Sequence, residues 1–262
     1  MKELFIIKIG GNVIDSKENL SVFLKKFHAI NSPKILIHGG GKLATDLSTK
    51  LGIESKLVDG KRITDAATLE IITMVYSGIN KSIVAQLQAM GTDSIGVCGA
   101  DLNMIPAKKR AVGTIDYGFV GDVLIDKIPV THWADLLEKN ICPVVAPITA
   151  DASGQLLNTN ADTVASSIAQ ALSKIYKVTL IYCFEKSGVL QNPADENSVI
   201  PLIQPEAYSS FKSQGVISKG MIPKLDNSFD AMKNGVSKVI IGNALHIDKL
   251  ISSKEGTHLS LT

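Results

Sequence analysis

The chain has 262 residues, 45% hydrophobic and 20% charged, a balance that supports a sizeable buried core and excludes disorder, collagen-like repeats and a coiled coil. Its 27 basic and 25 acidic residues nearly cancel and are scattered, so the sequence carries no electrostatic footprint for nucleic acid or an acidic membrane surface. At ~100–200 residues per domain, one large domain or two fused lobes fit this length.

The first apolar run, residues 4–9, is broken by Lys8 and ends in Gly10-Gly11, too short for a signal sequence or a membrane span. A helix is expected over 17–30, a strand over 34–38, then Gly39-Gly40-Gly41 and a helix over 42–51. The clearest helical pattern covers 65–90, where Leu69, Ile72, Tyr76, Ile79, Ile83 and Leu87 recur at steps of three and four on one stripe. Thr64 or Asp65 would cap its start and Gly91 its end. A strand over 94–98 leads into 105–128, where Gly113, Gly118 and Gly121 between β-formers predict hairpins projecting from the sheet edge. The remaining chain reads as helix 132–140, strand 143–148, helix 162–174, strand 178–184, helices 206–214 and 224–234, strand 238–241 and helix 245–252.

Most of these strand runs are short and rich in Ile and Val, as expected of strands buried on both faces. The alternation predicts a three-layer αβα sandwich around a mostly parallel sheet with β-hairpin excursions. Ligands in such folds bind beyond the carboxyl ends of the strands, where both glycine runs fall. Cys98, Cys142 and Cys183 lack paired spacing and read as buried thiols in a reducing compartment, with the cytoplasm as the expected location. The histidines show no metal-ligand spacing.

Four segments and one arginine are candidates for chemistry. Lys8, inside an apolar strand and followed by Gly10-Gly11, must reach solvent at the strand end or face an anion. His38-Gly39-Gly40-Gly41-Lys42 joins a strand to a helix start, a place where backbone N–H groups receive phosphate, or else a plain tight turn. It matches neither a Walker A loop nor the dinucleotide pattern. Asn158-Thr159-Asn160-Ala161-Asp162 opens a helix, where asparagine and aspartate also serve as ordinary caps. In Gly220-Met221-Ile222-Pro223-Lys224 the lysine opposes the dipole of the helix it begins, a conflict that a bound phosphate would resolve and solvent would tolerate. Arg62, after Asp59-Gly60, offers a planar fork for a carboxylate or is a surface arginine.

In this order, and with Ile7-Lys8-Ile9-Gly10-Gly11, Ile37-His38-Gly39-Gly40-Gly41 and Asp59-Gly60-Lys61-Arg62-Ile63-Thr64 spanning nearly the whole chain with the two later segments, the sequence resembles the amino acid kinase family. The Arg62 and Asn158 segments place the resemblance in the branch that phosphorylates N-acylated glutamate for arginine biosynthesis, away from carbamate, uridylate and aspartate kinases. The resemblance implies ATP-dependent transfer to the γ-carboxylate of N-acetyl-L-glutamate, with Mg2+ arriving on the ATP phosphates.

Carried over by position, Lys8 would stabilise the transferring group, Lys224 the leaving diphosphate side, and Asp162 would orient both lysines. Gly10, Gly11 and Gly40 would face the phosphates, Gly41 would shape the acyl-glutamate pocket, and Arg62 with Asn158 would hold the α-carboxylate. The resemblance further implies an acceptor-binding and dimerisation lobe over 1–174 and a nucleotide lobe over 175–262. In the latter, Glu185, Lys186, Gly188, Gly220 and Met221 would contact the nucleotide, and 217–221 would border adenine. Phe184-Glu185 departs from the commoner pairing of a small residue with aspartate. Arginine-inhibited relatives carry an extra helix before the first strand, so an arginine-insensitive homodimer formed through the helix over 65–90 is expected. The rival readings are the same reaction on N-succinyl-L-glutamate, a non-catalytic nucleotide or acyl-glutamate sensor, and a Rossmann-type dehydrogenase, the last disfavoured by the missing fingerprint.

Overall fold

A computed structural model describes residues 1–58, 61–217 and 221–262, so Asp59, Gly60 and Gly220 lie outside the described residues. In chain order the strands are β1 (Glu3–Ile9), β2 (Lys34–His38), β3 (Leu57–Val58), β4 (Lys61–Arg62), β5 (Ser94–Val97), β6 (Ala107–Lys109) and β7 (Gly121–Val123). They continue as β8 (Cys142–Val145), β9 (Ile148–Ala150), β10 (Leu156–Asn158), β11 (Lys177–Phe184), β12 (Leu202–Ile203), β13 (Lys238–Asn243) and β14 (Thr257–Leu259). Eight of them form one sheet in the order β12-β14-β13-β11-β1-β2-β8-β5, parallel throughout except for the β13/β14 pair.

The helices are α1 (Gly11–Asp15), α2 (Lys17–His28), α3 (Gly41–Lys50), α4 (Ala66–Ala89), α5 (Val130–Glu138), α6 (Ala161–Leu172), α7 (Pro205–Ser213), α8 (Ile222–Lys233) and α9 (Ile247–Ile251). Side chains of a strand alternate between faces. Leu4 and Ile6 of β1, with Leu180 and Tyr182 of β11, therefore pack in one core with Trp133 of α5, Ile168 of α6 and Leu225 of α8. Phe5, Ile7 and Ile9 enter the opposite core with Phe23 of α2, Ile83 of α4 and Ile247 of α9. This is the three-layer sandwich that the alternation implies. The same parity puts Lys8 on the α6 and α8 side.

The apolar stripe of α4 is buried as its spacing demands, with Ile72, Ile83 and Leu87 fully covered. Asp65 is the cap: its Oδ1 accepts the Thr68 N–H at 2.8 Å. Three expectations change. The single strand over 143–148 is two, since the chain turns between β8 and β9, and β9 pairs with β10 outside the main sheet. The segment over 105–128 is one hairpin, β6 with β7, and it is stitched inward through bridges to Thr64, Ala150 and Asn158. Cys98 is only partly buried, unlike Cys142 and Cys183.

Candidate active site

β1, β2 and β11 are adjacent and in register, Ile9 lying beside His38 on one side and Cys183 on the other, so their carboxyl ends open at one level. α6 and α8 pack side by side against this edge. Asn160 caps α6 by accepting the N–H groups of Asp162 (2.8 Å) and Thr163 (3.2 Å), which places the Asp162 carboxylate in the first turn, where the helix dipole favours an anion. Lys224 occupies the first turn of α8 behind Pro223.

These residues meet. Lys224 Nζ donates to Asp162 Oδ2 at 2.6 Å, and Lys8 Nζ lies 2.8 Å from Oδ1. The Lys8 contact is an ion pair whose angle makes a poor hydrogen bond, so Oδ1 has no well-aligned donor. The dipole conflict of Lys224 is thus answered by a carboxylate within the chain. Burial alone would raise the Asp162 carboxyl, but the Lys8 and Lys224 ammonium groups outweigh it and hold it well below the ordinary aspartate range. Burial lowers Lys224, Asp162 opposes that, and Lys8 adds to the lowering. With all three groups ionised the cluster carries a net positive charge.

Beneath it lies Tyr182, whose ring is 4.4 Å from Lys224 Nζ and whose hydroxyl donates to the Asp162 carbonyl at 3.3 Å. Cys183, the next residue, is buried, which pushes its thiol up to about 12 against the opposing pull of both lysines. The thiol is protonated at neutral pH.

The glycine turns flank the cluster. Gly10 caps α1 and donates to the Cys183 carbonyl at 3.2 Å, while Gly11 begins α1. Gly40 caps α3 at φ +149°, and a Cβ there would lie 2.5 Å from Ile79 Cδ1 and 3.1 Å from the Tyr76 ring. Only glycine fits that backbone against α4. The first N–H groups of α1 and α3 have no partner within their own helices, the arrangement in which helix starts receive anions.

On the other side, Arg62 is anchored rather than free. Its Nη2 donates to the Gly41 carbonyl (2.9 Å) and Thr45 Oγ1 (2.7 Å), and Nη1 donates to Ser55 Oγ (2.7 Å). Asn158 Nδ2 donates to Thr64 Oγ1 at 3.0 Å, two residues beyond Arg62, and the 117–119 backbone bonds to both Thr64 and Asn158. The structure therefore ties Arg62 to Gly41 directly and Asn158 to Thr64 two residues away, with the loop of the β6/β7 hairpin bonded to Thr64 and Asn158.

The candidate nucleotide residues follow β11. Asn243 Nδ2 donates to the Glu185 carbonyl at 2.8 Å, and Lys186 pairs with Glu196. Gly188 has a packing reason, because a Cβ there would lie 2.7 Å from Thr257 Oγ1 and Val199 Cγ1. Ile217 is buried in the core and Met221 packs against it, while Gly220 lies outside the described residues.

Sequence reading missed Tyr182, Thr45 and Asn80. Asn80 had a signal: it lies four residues after Tyr76 and three before Ile83, a polar residue on the apolar stripe, and it is 3% exposed. Tyr182 shares its strand with a second aromatic residue, Phe184, and a buried aromatic in such a run by itself reads as core.

Among the described residues of this edge, the charges and helix-start N–H groups are disposed to hold anions at the carboxyl ends of a mostly parallel α/β sheet. The amino acid kinase family model matches residues 3–243, and the chain belongs to that family. Among its relatives, an acetylglutamate kinase of Cytophaga hutchinsonii is 54% identical over 99% of both chains. Another, of Phocaeicola vulgatus, is 53% identical over 95% of this chain and 97% of its own. A crystal structure of a Streptococcus mutans protein matches with a TM-score of 0.82 at 25% identity, covering 100% of each chain.

Proposed function

We propose that the chain transfers the γ-phosphoryl group of ATP to the γ-carboxylate of N-acetyl-L-glutamate, giving N-acetyl-L-glutamyl 5-phosphate in arginine biosynthesis. The observation that carries this reading is the sharing of Asp162 by Lys8 and Lys224. A glutamate carboxyl, with an ordinary pKa of ~4.3, is ionised at neutral pH, so a carboxylate oxygen attacks the γ-phosphorus without a general base. The bond to the β–γ bridging oxygen breaks, and ADP departs with that electron pair. The barrier is repulsion: two unit charges ~4 Å apart cost about 4 kcal/mol at an effective dielectric of 20. One lysine on Asp162 would leave the centre neutral; two leave it positive.

In this reading Lys8 faces the transferring group and Lys224 the leaving side, with Gly11 and Gly40 donating from the glycine turns. Arg62 and Asn158 hold the α-carboxylate. Residues 1–174 form the acceptor lobe and 175–262 the nucleotide lobe, joined through the β1/β11 pairing. The Mg2+ of the nucleotide is assigned to phosphate oxygens and water, because this ion dehydrates reluctantly and is held mainly by substrate phosphates. We assign the active form to a homodimer built on α4 and the edge strand β5, where Met74 is 58% and Ile95 41% exposed. No described helix is long and apolar enough to cross a membrane, and the free cysteines suit a cytoplasmic location.

Hydroxylamine trapping tests the reaction, because it converts an acyl phosphate to a stable hydroxamate. With ATP and magnesium, N-acetyl-L-glutamate should give hydroxamate, and N-succinyl- and free glutamate far less. No product from N-acetyl-L-glutamate would overturn the assignment, and product from the succinyl compound alone would overturn the acyl group.

A further inference from the structure

A buried polar chain underlies the second glycine turn and has no part in the steps above. His38, the last residue of β2, is fully buried, and its Nδ1 lies 2.7 Å from the Gly39 carbonyl oxygen. That oxygen can only accept, so Nδ1 carries the proton and Nε2 presents a lone pair. Asn80 of α4 supplies the matching donor: its Nδ2 is 3.3 Å from Nε2 and 2.9 Å from the Val144 carbonyl of β8. Both amide hydrogens are then used, and the tautomer is fixed from two sides. Burial pulls the imidazole down to about 4, so it is neutral at physiological pH.

The groups around Gly39 are pinned in turn. Its N–H donates to the Ile9 carbonyl at 3.1 Å, and the Gly40 carbonyl accepts from Ala44 N at 3.0 Å. Between these lies the peptide joining Gly39 to Gly40, which glycine's own backbone preferences leave loosely defined. A trans peptide is a rigid plane whose carbonyl and N–H point in opposite directions. Holding the Gly39 oxygen on His38 therefore turns the Gly40 N–H away from the buried pair.

We propose that His38, oriented by Asn80, is a positioning residue that holds this peptide with the Gly40 N–H aimed at the transferring phosphoryl group. The inference rests on the phosphoryl-transfer reading of the site and adds to it the device that aims one of its donors. His38 acts through Gly40 and touches neither substrate nor nucleotide.

The test compares two substitutions. The asparagine amide nitrogen is as many bonds from Cα as histidine Nδ1, so His38→Asn retains a donor for the Gly39 oxygen, whereas His38→Leu fills space without one. Losing one such donor typically costs ~10²–10³ in kcat, so a misaimed one should cost on the order of 10- to 100-fold in His38→Leu, with acceptor KM within about threefold. His38→Asn should retain kcat within about fivefold. Equal impairment of the two folded variants, or unchanged kcat in His38→Leu, would overturn the proposal. A second measurement needs no variant: proton–nitrogen correlation spectra of the intact wild-type protein with isotope-labelled histidine should show His38 protonated on Nδ1 and bare on Nε2. A proton on Nε2 would overturn the proposal however the variants behave. Wild-type protein that traps no hydroxamate would instead defeat the phosphoryl-transfer reading, and with it the target of Gly40, while the tautomer result would stand.

Discussion

Lys8 and Lys224 approach the two oxygens of one carboxylate, at 2.8 Å from Oδ1 and 2.6 Å from Oδ2 of Asp162. The first comes from the end of a central strand and the second from the opening turn of a helix far along the chain, so the fold is what creates the pair. Asp162→Asn should leave two partly buried ammonium groups, each on a side chain 13% exposed, facing each other without the carboxylate between them. Removing one partner of a buried ion pair costs ~3–5 kcal/mol, and denaturant unfolding should show a loss of that order.

The same residue fixes a pH dependence. The Asp162 carboxyl is held below its ordinary value despite burial, so its stabilisation is complete above the unfolded aspartate pKa of ~3.9 and is lost as pH falls through the folded one. The Tm gap between wild type and Asp162→Asn should be constant near neutrality and narrow below about pH 4. A gap that widened in acid would contradict the ion-pair assignment.

Lys8→Ala and Lys224→Ala each leave Asp162 with one partner, so both should fold with a smaller Tm loss than Asp162→Asn. Their kcat should fall by about 10²–10³, since each removes charge that acts on the transferring group, with KM values changing much less. Steady-state kinetics alongside thermal unfolding separates the two effects.

The glycine turns respond unequally to a methyl group. Gly40→Ala combines φ +149° with a Cβ 2.5 Å from Ile79 Cδ1, and should cost about 1–3 kcal/mol from backbone strain with packing loss in addition. Gly10 has φ −86° and its nearest neighbour for a Cβ is the Cys183 carbonyl at 3.7 Å, so Gly10→Ala should stay within about 0.5 kcal/mol of wild type. Calorimetry of the two variants checks the contrast.

What the sequence disclosed follows from which signals are local. The α4 stripe was legible because its apolar residues recur at the helical period, and Lys8 and Lys224 because each is anomalous where it stands. Lys34 shows the limit. A lysine buried in a strand looks like another anion site, yet its ammonium donates to the carbonyls of Phe27, His28 and Ile30 at the end of α2. The break between β8 and β9 was hidden because one apolar run continues through it. Arg62 stands out in the sequence after Asp59-Gly60, but its anchoring by Thr45 and Ser55 depends on α3 folding back against β4, which no spacing records.

Arg62→Ala should raise KM for the acyl-glutamate on the order of 10- to 100-fold, equivalent to about 1.4–2.8 kcal/mol, with a smaller change in kcat. Initial-rate kinetics at varied acceptor concentration measures it. A variant with unchanged acceptor KM would remove Arg62 from the pocket.

The central claim is that the acceptor's own carboxylate oxygen attacks phosphorus, and heavy-oxygen labelling tests it directly. N-acetyl-L-glutamate labelled in its γ-carboxylate is incubated with the protein, ATP, magnesium and hydroxylamine, and the released phosphate is analysed by mass spectrometry. Hydroxylamine attacks the acyl carbon, so the bridging oxygen leaves with phosphate, and the account requires one labelled oxygen in each phosphate released by trapping. ADP formation with unlabelled phosphate would mean that water is the acceptor, and the account would fail.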